Sequence, residues 1–459
     1  MVVLTLDMVL EATKGELLSE GPGPITGVST DSRTISDGDL FFALRGDHYD
    51  GHNYLESALH RGAGAVIEVK PDILPADRII VRVGDTLRAL QDVAHCVRKY
   101  RDIPLIAVTG SNGKTTTKEM VHAVLSKKYR TLKNIENLNN HIGLPLSLAG
   151  LKNNDECAVL EMGMNAAGEI KLLCDIAQPS HGIITNIGTA HIGRLGSREA
   201  VREAKFEILD GLATAIVNAD DEYLMEGLKS APFHGETITF GITKNADVRA
   251  QEITSADRGS DFVLSVHNQE TVRISLNVFG RFNVYNALAA AAAGIALGVS
   301  TDQIKEALEA FRAVSMRFEV TREKGITLIN DAYNANPASM EEAVRELVRL
   351  GSRGRTVAVL GDMKELETYS EPAHRAVGEM IAASGVDVFI AVGESMAAAA
   401  DVVKQVGGRK YRPVVHVFEN AEKAAEGIRE ICRAGDTVLL KGSRSVALEK
   451  VAGRLANAL

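Results

Sequence analysis

From residue 103 onward the chain alternates short, wholly apolar runs with longer amphipathic segments, the pattern of strands buried on both faces and joined by helices. Leu105 to Thr109, Cys157 to Glu161, Gly182 to Asn186 and Ala215 to Asn218 read as such strands. Met120, Val121, Val124 and Leu125 supply the inward stripe of a helix that follows the first of them. This rhythm predicts a doubly wound, largely parallel sheet with ligands gathered at the carboxyl ends of its strands. Shorter alternating segments between Glu236 and Val278 predict an antiparallel extension. The most apolar stretch, Ala287 to Val299, is too short to span a bilayer and predicts a buried helix.

The rhythm restarts near Val314 with Thr327 to Asn330, Thr356 to Leu360, Val388 to Val392, Val414 to Phe418 and Thr437 to Leu440, read as buried parallel strands. Met340 to Leu350 and Ala421 to Cys432 supply amphipathic crossovers. The first hundred residues mix short strands and helices around a Gly21 to Pro24 turn and a polar loop at Ser29 to Arg33. At about 150 residues per domain, a chain of 459 residues accommodates three. The expected α/β domains are 1–102, 103–313 and 314–459.

Composition narrows the function classes. Apolar residues at 45% and charged residues at 24% are the mix of a globular protein able to bury large cores. A formal net charge of −9 argues against a nucleic-acid partner. Cys96, Cys157, Cys174 and Cys432 are scattered without a Cys-x-x-Cys pair, so reduced thiols and a cytoplasmic location are expected, with neither a zinc cage nor a disulfide framework. The amino terminus carries no basic, apolar leader, and no stable membrane insertion is expected.

The sharpest chemistry lies in Val108-Thr109-Gly110-Ser111-Asn112-Gly113-Lys114-Thr115-Thr116-Thr117, where an apolar strand feeds a glycine-punctuated loop that opens a helix. Glycines let backbone N–H groups turn toward an anion, the helix start adds unpaired donors and a positive dipole end, and Lys114 adds a full charge. Thr115 is then placed to put its hydroxyl on Mg²⁺. The usual phosphate loop has a glycine where this chain has Val108, so the match is to the shorter Gly-x-x-Gly-Lys-Thr. Glu161 ends the next apolar strand, where a magnesium ligand belongs. Taken singly, Glu161 also reads as a surface carboxylate, His191 as a hydrogen-bonded structural histidine, and Lys205 in Glu203-Ala204-Lys205-Phe206-Glu207 as a solvated helical lysine.

Their order and spacing along the chain resemble the Mur ligase family. The shared segments are Asp31-Ser32-Arg33, Gly38-Asp39-Leu40-Phe41, Asp50-Gly51-His52, Thr109 to Met120, Asn137 to Pro145, Glu161-Met162-Gly163, Asn186-Ile187, Ala190-His191 and Ala204-Lys205. Met316-Arg317, Asp331 to Pro337, Leu360 to Leu366 and Lys441-Gly442-Ser443-Arg444 continue them to the end of the chain. The resemblance implies an amino-terminal UDP-sugar-binding domain, a central phosphate-loop ATPase-like domain and a carboxyl-terminal Rossmann-like domain. It also implies that Thr115, Glu161, His191 and a carbamylated Lys205 arrange magnesium, a carbamate being an oxygen donor where an ammonium is a cation.

By the same resemblance Gly110, Ser111, Asn112, Gly113 and Lys114 hold the ATP phosphates, with Thr116 beside them. Asn283 faces the adenine, Asp331 the ribose and Arg317 the γ-phosphate. Lys114, Lys205, His191 and Arg317 are the expected catalytic groups. Asp31, Ser32 and Arg33 hold the UDP-sugar, and Asn137, Asn139 and Asn140 line its route to the centre. Two departures stand out: Phe282-Asn283 where relatives commonly carry His-Asn, and Asn330 where an aspartate often precedes Asp331.

The implied activity joins D-alanyl-D-alanine to UDP-N-acetylmuramoyl-tripeptide through an acyl phosphate, in peptidoglycan precursor synthesis, by a monomer. A ligase adding a single amino acid, or glutamates to folate, is the nearest alternative. The Asp-Asn-Pro-Arg typical of third-residue addition is absent, and Asn334-Ala335-Asn336-Pro337 stands in that region. A nucleotide-binding switch without ligase activity is the rival from another class, and Glu161, His191 and Lys205 weigh against it.

Overall fold

The computed structural model describes residues 4–73, 75–135, 137–267, 270–405 and 413–456. Three sheets follow one another along the chain. The first runs Glu16–Ser19, Ile79–Arg82, Gly64–Ile67, Asp39–Phe42, Gly27–Ser29 across its width, parallel except for the first strand.

The second has nine strands and carries the chemistry. Its centre is Leu105–Thr109, flanked by His181–Ile184 on one side and Cys157–Glu161 on the other, all parallel. Parallel neighbours end side by side less than 5 Å apart. The loop after Thr109, the carboxylate of Glu161 and the Thr185-Asn186 dipeptide therefore meet at one rim. Alternate residues of these strands face different cores: Ile106, Val108, Val159 and Ile183 pack under helices Lys114–Leu125 and Arg281–Ala296. Leu105, Ala107, Ala158, Leu160 and Ile184 pack under Glu169–Ala177 and Arg198–Phe206. That two-residue period, apolar on both faces, is why these runs read as buried strands.

The Glu236 to Val278 region departs from the sequence expectation. Glu236–Gly241 joins Thr214–Asn218 in parallel, and Val248–Ala256 begins parallel to it. Only Gly259–Val266 and Glu270–Leu276 add antiparallel. Ala287 to Gly294 are buried as expected, inside helix Arg281–Ala296.

The third sheet is ordered Glu319–Glu323, Ile326–Asp331, Thr437–Lys441, Thr356–Gly361, Val388–Val392, Val414–Phe418. Its first strand, antiparallel and at one edge, was not expected from the sequence. Val414–Phe418, read as buried, is the opposite edge, and Val414 is 58% exposed. Only the inner strands of a sheet are covered on both faces.

Candidate active site

The loop Gly110 to Gly113 is shaped by its neighbour strand. Ser111 N–H donates to the Asn186 carbonyl at 3.0 Å, Asn112 N–H to Asn186 Oδ1 at 3.0 Å, and Thr185 Oγ1 to the Asn112 carbonyl at 2.6 Å. Gly188 N–H donates to Ser111 Oγ at 2.8 Å. These bonds hold the loop against the sheet, and no side chain caps helix Lys114–Leu125 behind it. Its first-turn N–H groups, at Lys114, Thr115 and Thr116, are left for an anion. Gly110 and Gly113 have φ of +147° and +82°. A Cβ on Gly110 would lie 1.9 Å from Thr185 Oγ1. Gly110→Ala is therefore expected to combine clash with backbone strain, at about 2–3 kcal/mol of stability. Chemical denaturation checks this, and Thr185→Ala in the same chain should restore only the part owed to the clash.

Lys114 Nζ donates to the Gly110 carbonyl at 2.9 Å. Burial pulls its ammonium below the ordinary range, with Glu161 opposing the shift and Arg317 reinforcing it. Thr115 Oγ1 accepts from Arg317 at 3.2 Å. The Arg317 guanidinium lies 3.7 Å from the Tyr333 ring centroid, a cation–π contact that helps hold it in place. Residues on both sides of it, Met316 and Phe318, have φ of +59° and +51°, so the backbone is bent to aim this side chain.

Glu161 is 2% exposed, and its two oxygens differ. Oε1 accepts from Asn139 Nδ2 at 2.8 Å, whereas Oε2 is buried with no partner among the described residues. Asn134 clamps the same residue, its Oδ1 accepting Glu161 N–H at 3.0 Å and its Nδ2 donating to the Leu138 carbonyl at 2.9 Å. His191 Nδ1 lies 3.3 Å from Glu365 Oε2 but outside hydrogen-bond geometry, leaving it without a bonded partner among the described residues. Lys205 is 1% exposed and its ammonium makes no hydrogen bond or ion pair among the described residues. Burial, then repulsion from Lys114, push it well below the ordinary lysine range. The solvated reading of Lys205 is thus corrected: Val201, Ala204 and Ile208 share its face, and that face packs on the sheet.

Glu161 Oε2, a buried carboxylate oxygen with no partner among the described residues, suits an oxygen-loving divalent cation with nucleotide phosphates. That oxygen fits magnesium, whereas Lys205 fits it only once converted to an oxygen donor.

The remaining expected residues divide. Asn283 is 3% exposed, and its amide is engaged internally, donating to the Phe279 carbonyl at 2.7 Å and accepting from Asn286 at 3.0 Å. Asn286 was missed from sequence, although it lies one helical turn on from Asn283 and bonds Thr117 Oγ1 at 3.1 Å. Asp331 accepts from Phe318 N–H at 3.0 Å and from Lys441 Nζ at 2.6 Å. Asn336 caps helix Pro337–Leu350 with Oδ1 and reaches Asn112 Oδ1 with Nδ2 at 2.7 Å, tying the third domain to the phosphate loop.

Asn137 is exposed, and Asn140 Oδ1 accepts from Ile142 N–H at 3.1 Å and Gly143 N–H at 2.9 Å just ahead of helix Gly143–Ala149. This segment borders the first domain, where Gln91 donates to the His141 carbonyl at 3.0 Å. Asp31, Ser32 and Arg33 stand apart on the loop after Gly27–Ser29, with no bond to the phosphate loop among the described residues. There Arg33 pairs with Asp31 at 2.6 Å, and its side-chain and backbone bonds lower the Asp31 carboxyl to about 2.

Known proteins match this chain along nearly its whole length. The family model described as the Mur ligase family, catalytic domain, matches residues 24–98, the Mur ligase middle domain 108–294, and the Mur ligase, glutamate ligase domain 316–444. The UDP-N-acetylmuramoyl-tripeptide–D-alanyl-D-alanine ligase of Bacillus subtilis is 36% identical over 98% of both chains, and that of Escherichia coli 34% over 98% of both. A crystal structure of MurF from Acinetobacter baumannii superposes with a TM-score of 0.88 at 32% identity, covering 98% of each chain. MurF ligase from Thermotoga maritima in complex with ADP gives 0.82 at 27% identity, covering 94% of this chain and 97% of that one. With its three domains matched in order, and full-length relatives more than 30% identical, the chain belongs to the Mur ligase family.

Proposed function

We propose that this protein is the ATP-dependent ligase that joins D-alanyl-D-alanine to UDP-N-acetylmuramoyl-tripeptide in peptidoglycan precursor synthesis. One observation carries the reading: Lys114, at the start of an uncapped helix, interacts electrostatically with both Glu161 and Lys205, which among the described residues leave a buried carboxylate oxygen and a buried amine without partners, in a chain whose full-length relatives bear that activity in their names.

A carboxylate is a poor acyl donor. The terminal carboxylate of the tripeptide attacks the γ-phosphorus of ATP, the bond to the β-phosphate oxygen breaks, and ADP leaves. The amine of the dipeptide then attacks the acyl carbon, loses a proton and expels phosphate. The first-turn N–H groups and Lys114 bind the phosphates, and Arg317, held against the Tyr333 ring, offsets charge developing on the transferred group. Thr115, Glu161, His191 and a carbamylated Lys205 would hold magnesium, which would supply charge neutralisation along the phosphate chain. Burial, then repulsion from Lys114, favour the neutral amine of Lys205, the form that attacks carbon dioxide to give a carbamate and a released proton. Asn134 and Asn139 hold Glu161 so that Oε2 points free.

In this reading residues 1–102 take the UDP-sugar through Asp31, Ser32 and Arg33, residues 103–313 take ATP, and residues 314–459 close over both as a lid that excludes water from the acyl phosphate. A cytoplasmic monomer suits the four free cysteines; among the described residues no helix is long and apolar enough to cross a membrane.

Phosphate release, measured with ATP, UDP-N-acetylmuramoyl-tripeptide and D-alanyl-D-alanine and with each omitted in turn, is expected to need all three. Turnover with a diamino acid on a dipeptide precursor, and none with D-alanyl-D-alanine, would move the protein to a neighbouring step.

A further inference from the structure

Glu365 lies on the loop between strand Thr356–Gly361 and helix Ser370–Ser384, in a different domain from His191 and 174 positions further along the sequence. Its segment, Leu360 to Leu366, is among those shared with the family, but no role at the phosphate site was expected of Glu365. Yet its Oε2 is 3.3 Å from His191 Nδ1, and that nitrogen is buried with no other acceptor among the described residues. Both residues sit in left-handed backbone, His191 at φ +64° and Glu365 at φ +67°, and Glu367 follows at +48°. Side chains of this kind rarely take that conformation, and it persists only where surroundings impose it.

The surroundings do impose it. Met363 N–H donates to Nε2 of the fully buried His374 at 3.0 Å, and Lys364 N–H to Ser443 Oγ at 2.8 Å, which fixes the loop just before Glu365. On the opposite side Gly193 lies against the loop so closely that a Cβ would be 2.7 Å from the Leu366 carbonyl carbon and oxygen. Tyr369 Oη donates to the Gly196 carbonyl at 3.2 Å and closes the far end. The Glu365 loop is thus a rigid finger of the third domain pressed onto the short helix Ile192–Leu195 that begins at His191.

We infer that Glu365 is a positioning residue for His191: from 3.3 Å its negative charge draws the imidazole proton to Nδ1 by electrostatics, leaving the Nε2 lone pair for the cation. The inference rests on the ligase reading of the site. A carboxylate behind a metal-binding histidine sets tautomer and ring orientation, and its loss typically costs 10–100-fold in metal affinity. Here the carboxylate arrives from another domain, so His191 is set only when the third domain is docked. Metal binding and domain closure are thereby linked, and each favours the other.

The test uses the full-length protein. Long-range proton–nitrogen NMR of the metal-free protein reads the His191 tautomer, with His191→Gln identifying its signals among the 12 histidines. Wild type is expected to carry the proton on Nδ1, Glu365→Gln to retain that tautomer through its amide oxygen, and Glu365→Ala to lose the preference. In parallel, the Mg²⁺ concentration that half-saturates ADP binding is expected to rise roughly 10–100-fold in Glu365→Ala. Gly193→Ala, which forces the Leu366 backbone away without touching either side chain, should move both readouts the same way. An unchanged tautomer and unchanged Mg²⁺ requirement in Glu365→Ala, with or without a fall in melting temperature, would overturn the inference. Because the tautomer is read without turnover, wild-type protein that showed the Nδ1 proton but failed to ligate would sink the ligase reading alone.

Discussion

Lys114→Ala is expected to lower ligation by roughly 10²–10³-fold or more, the scale for removing one preorganised charge from a transferring group, while leaving the circular dichroism spectrum unchanged. The lysine contributes one hydrogen bond, to the Gly110 carbonyl, worth about 1 kcal/mol. Removing it also relieves a desolvated ammonium that Arg317 repels. The fold therefore loses little, and the loss of function is assigned to phosphate. Phosphate release under saturating substrates makes the measurement. Wild-type turnover in Lys114→Ala would reduce the loop to a strand-to-helix turn.

Lys205 provides the second large effect. Lys205→Ala is expected to lose most activity, and Lys205→Arg to lose as much despite keeping the charge, since a guanidinium has no lone pair for a cation. Acetate or formate at high concentration should partly restore the alanine variant by occupying the vacated oxygen-donor position. No rescue is expected for the arginine variant, whose side chain fills the space with the wrong charge. Carbon-13 bicarbonate should also give wild type a carbamate signal that Lys205→Ala lacks. Near-normal turnover in Lys205→Ala, or absence of that signal in active enzyme, would return Lys205 to the role of a buried structural lysine.

A single sequence carried the local features well. Apolar runs bounded by polar turns placed the strands Leu105–Thr109, Cys157–Glu161 and Val388–Val392 at their observed limits, because burial on both faces leaves a composition that no partner is needed to read. The turn from strand to helix was equally legible, since Gly110 and Gly113 act through adjacent backbone and helix Lys114–Leu125 starts directly after them. Lys205 shows where reading by residue type fails. Its polarity suggests water, yet Val201, Ala204 and Ile208 lie three or four residues from it or from each other, the spacing of a buried face.

What the sequence by itself determined is therefore the inner parallel strands, the glycine turn before helix Lys114–Leu125 and the rim at which those strands end. Only the tertiary structure decided how the pieces meet: the parallel pairing of Glu236–Gly241, the clamp of Asn134 and Asn139 on Glu161, Tyr333 under Arg317, Lys441 on Asp331, and Glu365 behind His191. The reason is physical. Strand burial, helix faces and glycine turns are fixed by neighbours a few residues away, whereas strand direction and long-range ion pairs depend on which rims the assembled sheets bring together.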